Sequence, residues 1–128
     1  MVGIVIVSHS NKVAEGVKEI ALQMAPEVKI ATAGGTDDGR IGTDMAKIQN
    51  AIREVYNENG VIILFDLGSA FMNTEMALEF LDEDMKNNVK IVDAPLVEGT
   101  IVAAVDSSIG KDIDEIKKSL KEMPKNKI

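Results

Sequence analysis

Two stretches of the chain are apolar without interruption, Gly3-Ile4-Val5-Ile6-Val7 and Gly60-Val61-Ile62-Ile63-Leu64-Phe65. Continuous β-branched runs of this kind mark strands covered on both faces, as in a parallel sheet, rather than the alternation of a half-exposed strand. They predict the central strands. Elsewhere the apolar period changes. Val13, Val17, Ile20, Ala21 and Met24, then Met45, Ile48, Ile52 and Val55, recur at helical spacing and predict crossover helices. Weaker strands are expected at Val28 to Thr32 and Val89 to Val92, with further helices about Asn73 to Leu81, Gly99 to Ser107 and Asp112 to Met123. The order is β-α-β-α-β-α-β-α-α. Right-handed crossovers then give a doubly wound, mostly parallel four-stranded α/β sheet of order 2-1-3-4 with helices on both faces.

That order predicts where a site falls. The strand order reverses between strands 1 and 3, and ligands in such sheets sit outside the carboxyl ends of the strands at this switch point. Those ends read Ser8-His9-Ser10 and Asp66-Leu67-Gly68-Ser69, so His9 and Asp66, more than fifty positions apart, are expected to face each other. A carboxylate that accepts a hydrogen bond from one imidazole nitrogen fixes the tautomer and frees the lone pair of the other, which is what a nucleophile attacking phosphorus requires. His9 is the only histidine in the chain. A phosphohistidine also needs donors around its oxygens. Gly34-Gly35-Thr36 after strand 2 and Ser69-Ala70 after strand 3 are the candidates, through backbone N–H groups and helix N-termini. No G-x-x-x-x-G-K-[ST] occurs, so the chain is not expected to bind and cleave a nucleoside triphosphate by itself.

Composition narrows the classes. At 128 residues one domain, 1–128, is expected, with no interdomain linker, and a tail at Lys121 to Lys127 that frays. The absence of cysteine excludes disulfides and thiolate zinc sites, and a lone histidine excludes histidine-pair metal motifs. Asp37-Asp38 has no other acid in register and fits a partner-facing or capping loop better than a metal site; no metal or cofactor is expected. The net charge of −7, from 21 acidic and 14 basic side chains, opposes binding to nucleic acid or anionic lipid. The apolar run Val2 to Val7 is too short to span a membrane or to serve as a signal peptide, and a cytoplasmic protein is expected. Lys12 and Arg40, the cations nearest the site in sequence, read as solvated surface. Met24, Met45, Met72 and Met76 read as core filling, while Phe71 and Met72 fit either a buried helix start or an apolar surface for a partner.

Rival chemistries lack their parts. A receiver domain phosphorylated on Asp66 needs an acidic pair after strand 1, where Ser8-His9 stands; a serine hydrolase needs G-x-S-x-G, absent around Ser69. A binding module without covalent chemistry stays open.

Val7-Ser8-His9-Ser10, Ala33-Gly34-Gly35-Thr36, Phe65-Asp66-Leu67-Gly68-Ser69-Ala70-Phe71-Met72-Asn73 and Ala94-Pro95-Leu96-Val97-Glu98-Gly99 together resemble the mannose-type EIIA superfamily of the bacterial phosphotransferase system, over nearly the whole chain. The segment Gly34-Gly35-Thr36-Asp37-Asp38-Gly39-Arg40-Ile41-Gly42-Thr43 is most similar to the branch that serves phosphoenolpyruvate-dependent dihydroxyacetone kinase. The sugar-transport branch, an EIIA that passes phosphate to EIIB, carries a Gly-Gly-Ser-Pro-like stretch after the strand 3 aspartate, whereas Gly68-Ser69-Ala70-Phe71 stands here. The resemblance implies that His9 is the phosphorylated residue, that Asp66 orients its ring, and that the backbone around Gly34, Gly35 and Ser69 faces the phosphate. It further implies phospho-HPr as donor, ADP on the nucleotide-binding kinase subunit as acceptor, dihydroxyacetone on a third subunit, and a homodimer.

Overall fold

The computed structural model describes residues 1–124. The element order is β1 (Gly3–Ser8), α1 (Asn11–Met24), β2 (Ile30–Gly34), α2 (Met45–Val55), β3 (Val61–Phe65), α3 (Gly68–Glu79), α4 (Glu83–Asn87), β4 (Val89–Ile91), α5 (Leu96–Ser108) and α6 (Ile113–Lys121). The four strands form one sheet of order β2-β1-β3-β4, and every pairing is parallel. The fold class and strand order read from the apolar periods therefore hold.

Each face of the sheet has its own core. Ile4, Ile6, Ile62 and Leu64 pack under α1, α5 and α6 through Val17, Ala21, Ala104, Ile116 and Leu120. Val5, Val7, Val61 and Ile63 pack under α2 and α3 through Ile48, Ile52, Ala70 and Ala77. The alternation within each strand explains the unbroken apolar runs Gly3 to Val7 and Val61 to Phe65: both faces are covered, so a polar side chain there, such as Ser8 at the end of β1, needs a hydrogen-bond partner.

The structure departs from the sequence reading in several places, β2 lying at Ile30–Gly34 rather than Val28 to Thr32 among them. First, α3 begins at Gly68, not near Asn73, and it buries Ala70, Thr74 and Ala77. Its face toward the sheet consists of small residues, so Met72, Met76 and Phe80 point to solvent. Second, most of the methionines quoted as core are not: Met24 is exposed along with Met72 and Met76, and only Met45 is partly buried. Likewise Val13 and Ile20 lie on the outer side of α1, whose buried residues are Ala14, Val17 and Ala21. Third, α4 is not expected from the sequence; it is five residues long, capped by Asp82, and has no fully buried residue, only Met85 packed in part against the core, so it leaves no apolar period to read. Fourth, α5 begins at Leu96, three residues before the expected Gly99. The tail expected to fray from Lys121 starts on the last residue of α6, and its residues 125–127 lie outside the described residues.

The carboxyl end of β2 is drawn tightly against the turn into α1. A Cβ on Gly34 would stand 2.6 Å from the Asn11 Cα and 2.8 Å from the Ser10 carbonyl oxygen, both backbone atoms that cannot swing aside. Gly34→Ala is therefore expected to destabilise the fold by about 1–3 kcal/mol, the usual cost of overpacking. A thermal denaturation midpoint equal to that of the wild type would contradict this.

Candidate active site

The register Val7↔Phe65 between β1 and β3, carried one residue further, sets Ser8 beside Asp66. Both residues share the parity of Ile6 and Leu64 and so lean to the same face. His9 follows where β1 ends. Its Nδ1 lies 2.9 Å from Asp66 Oδ1, and its Nε2 lies 2.7 Å from Ser69 Oγ. The expected juxtaposition of His9 and Asp66 is present, with about a fifth of each side chain exposed (19% and 21%).

The carboxylate of Asp66 is saturated with donors. Oδ2 accepts from the Ser8 hydroxyl and the His9 N–H, each at 2.9 Å, and Oδ1 accepts from the Leu67 N–H at 2.7 Å as well as from the ring. Burial acts to raise the carboxyl pKa, but the bonds from the His9 N–H, the His9 ring, the Ser8 hydroxyl and the Leu67 N–H outweigh it and hold Asp66 below its ordinary value. An ionised carboxylate only accepts, so the His9 proton on that side must sit on Nδ1. Nε2 of the neutral ring then carries the lone pair, and the Ser69 hydroxyl donates to it.

Donors for an anion at Nε2 come from the start of α3. Ser10 caps α1 and Asp44 caps α2 by accepting from Val13 and Lys47 N–H groups, but the N-cap of α3, Leu67, makes no side-chain cap bond. The first N–H groups of a helix have no partner within it, and Ser69, in the first turn of α3, meets the imidazole through its hydroxyl. Ala70 contributes less than expected. It is buried, and its N–H is bonded to the Leu67 carbonyl.

The glycine loop has a different role from the cradle read in the sequence. The Gly35 N–H donates to the Ser8 carbonyl at 3.1 Å, and the positive φ of 71° at Gly35 turns the chain there. The Thr36 hydroxyl donates to Asp38 at 2.5 Å and accepts from the Arg40 N–H, while the Thr36 N–H donates to the Arg40 carbonyl. The loop is thus bonded to itself. It docks on the site through the Gly42 N–H, which donates to the His9 carbonyl at 2.9 Å, and through Asn73 of α3, which bonds Thr43. Gly34, Gly35 and Thr36 consequently fix the backbone that carries His9. Arg40 pairs with Asp38 at 2.8 Å, and the Thr36 hydroxyl followed by this guanidinium holds the Asp38 carboxyl below its ordinary value. A cation not singled out in the sequence, Lys47, reaches from α2 to the Gly34 carbonyl at 3.0 Å. Among the described residues, no three His, Cys, Asp or Glu side chains group to hold a metal ion, and no helix is long and apolar enough to cross a membrane.

Solved structures place this architecture. The crystal structure of a protein described as of unknown function superposes with a TM-score of 0.87 at 36% identity, covering 98% of each chain. The EIIA component of the phosphotransferase system from Streptococcus agalactiae gives a TM-score of 0.65 at 19% identity, over 94% of this chain and 90% of that one, which shows the shared fold. The fold is thus that of an EIIA component, with one histidine held by a carboxylate at the switch point. A family model described as PTS system fructose IIA component, EIIA-man, matches residues 3–117, and the chain belongs to that family. Among curated relatives, the phosphoryl donor subunit of PEP-dependent dihydroxyacetone kinase from Escherichia coli is 45% identical over 120 residues. That match covers 91% of this chain but 25% of the relative, so the chain spans a quarter of that protein's length. The corresponding subunit of dihydroxyacetone kinase 2 from Listeria innocua is 41% identical over 121 residues, 94% of this chain and 97% of the relative.

Proposed function

We propose that the chain is a cytoplasmic phosphohistidine carrier that receives a phosphoryl group from phospho-HPr on His9 and hands it to ADP bound on the nucleotide-binding subunit of dihydroxyacetone kinase. The observation that carries this reading is the His9 ring held by Asp66 at Nδ1, with Nε2 facing the uncapped start of α3. The curated relatives named as phosphoryl donor subunits of that kinase support the branch.

The steps follow from the geometry. Ser69 rotates away from Nε2, whose lone pair attacks the phosphorus of the donor's phosphohistidine; the donor's N–P bond breaks and its electron pair returns to the donor ring. The His9 ring, now substituted at Nε2 and protonated at Nδ1, is cationic, and the Asp66 carboxylate offsets that charge. The Gly68 and Ser69 N–H groups and the freed Ser69 hydroxyl receive the phosphoryl oxygens. In the second step a β-phosphate oxygen of ADP attacks the same phosphorus, the Nε2–P bond breaks, and Nε2 regains its lone pair. Among the described residues the ion pair at this histidine is with Asp66, and neutral donors hold the phosphoryl group less firmly than a guanidinium clamp would. That suits onward transfer.

The resemblance extends the proposal to a homodimer, for which the exposed residues Met72 and Met76 of α3 and Phe80, its C-cap, offer an apolar stripe. The test is incubation with enzyme I, HPr and labelled phosphoenolpyruvate. An acid-labile, base-stable label is expected, discharged by the nucleotide-binding subunit with ADP. Failure of the chain to take label refutes the carrier reading. Discharge only by an EIIB domain moves the protein to the sugar-transport branch.

A further inference from the structure

We propose that Ser8 is a positioning residue for His9: its buried hydroxyl locks the Asp66 carboxylate in the rotation that keeps the ring proton on Nδ1 and the nucleophilic lone pair on Nε2. The inference rests on the phosphotransfer reading and deepens it by extending the site one residue behind the carboxylate.

Ser8 is fully buried at the end of β1, on the face where Ile4 and Ile6 are also fully buried. Packing alone would be satisfied there by an alanine. The hydroxyl is instead fully used. It accepts from the Ser10 N–H at 3.1 Å, which leaves its own proton to go to Asp66 Oδ2 at 2.9 Å. Three groups thus form a directed chain, Ser10 N–H to Ser8 O–H to carboxylate, in which each bond polarises the next.

The consequence concerns rotation about the bond that carries the carboxylate. That torsion is broad, so the plane of the carboxylate is set by the donors around it, of which the Ser8 hydroxyl is the one supplied by a side chain other than the ring. Oδ2 is anchored by the Ser8 hydroxyl and the His9 N–H together, and this leaves Oδ1 for His9 Nδ1. Without the hydroxyl, Oδ2 keeps the His9 N–H and Oδ1 the Leu67 N–H, so two backbone donors hold the carboxylate where three donors besides the ring held it. The carboxylate is then held less firmly in the plane that meets the ring, the Nδ1 bond weakens, and part of the ring proton redistributes to Nε2, where it blocks attack.

The test needs no phosphoryl donor for its first arm. Histidine-selective ¹⁵N NMR of the unphosphorylated protein is expected to show the Nδ1–H tautomer in the wild type and a mixture in Ser8→Ala, with Ser8→Cys in between. In the transfer assay, Ser8→Ala is expected to be about tenfold slower at saturating donor, the loss that goes with one charge-assisted hydrogen bond, with KM within about twofold. Ser8→Thr restores rate and tautomer. In an Asp66→Asn background the same substitution is expected to be nearly silent, since Ser8 acts through the carboxylate. Wild-type tautomer and rate in Ser8→Ala overturn the proposal, as does an equal tenfold loss in the Asp66→Asn background, which marks a structural effect only. If the wild type accepts no label, the carrier reading fails, while the tautomer comparison still decides the role of Ser8.

Discussion

Replacing His9 with alanine is expected to abolish phosphoryl transfer while leaving the fold in place. The ring supplies the one nitrogen at the switch point with a free lone pair, and no cysteine exists to substitute for it. Loss of a covalent nucleophile that acts with its orienting partner typically costs about 10⁴-fold or more, so labelling from phospho-HPr should fall below detection. The effect on stability is small by comparison. Asp66 keeps the Ser8 hydroxyl, the His9 N–H and the Leu67 N–H, so removal of the imidazole leaves no unpaired charge. One ring bond to a carboxylate and one to Ser69 are lost at a partly exposed site, and a net cost of about 1–2 kcal/mol is expected. Label retained by His9→Ala would place the phosphoryl group on another residue and remove the basis of the carrier reading; a collapsed thermal transition would show that the ring is structural.

What could be read from the sequence was set by the apolar periods and by topology. Unbroken runs at β1 and β3 named the central strands, and the handedness of crossovers gave the order β2-β1-β3-β4, which brought His9 to Asp66 across 57 positions. What could not be read follows from side-chain size. Where a helix sits close to the sheet it does so on alanine, threonine or glycine, as α3 does on Ala70, Thr74 and Ala77, so its large apolar residues are the outward ones. A pattern reader then assigns the wrong face and misplaces Met72 and Met76. The same inversion on α1 puts Ala14 and Ala21 inside and Ile20 and Met24 outside.

Roles within the site were harder to read than its location. Glycines at the end of β2 suggested an anion cradle, yet the Gly35 N–H is used on Ser8 and the Thr36 hydroxyl on its own loop. A glycine pair signals close backbone approach without saying what approaches, and here it is the Ser10–Asn11 turn. In the run Ser8-His9-Ser10 the histidine draws the chemical reading, and Ser8 carries no role of its own there. The signal is in the sequence: strand parity puts it on the face of Ile4 and Ile6, where a buried hydroxyl requires partners, and the register sets Asp66 beside it as an acceptor for its proton. Ser69 lies at His9, as its place after strand 3 implies, but its bond to Nε2 depends on α3 starting at Gly68, which the weak helix propensity of Gly68-Ser69 conceals.

Asp66→Asn is expected to slow phosphorylation by about 10²- to 10⁴-fold, the range found when the partner of a catalytic histidine loses its charge. The amide has one acceptor oxygen where the carboxylate has two, and four donors converge on the carboxylate. If the amide NH₂ faces the ring, Nδ1 must accept and the proton moves to Nε2. If the NH₂ faces the other way it meets the His9 N–H, and the ring keeps its tautomer but loses the charge that offsets the phosphorylated imidazole. Both arrangements cost transfer. The stability consequence has a definite pH sign. Asp66 has a folded-state pKa below its ordinary value of 3.8, so its ionised bonds stabilise the fold fully above that value and lose this contribution as pH falls through the lower, folded-state value. Thermal melts should therefore show the wild type more stable than Asp66→Asn at neutral pH, with the gap closing only in the acid range below 3.8. A gap that is already closed above 3.8 would contradict this assignment, and an unchanged transfer rate would mean that Asp66 does not set the tautomer on which attack by Nε2 depends.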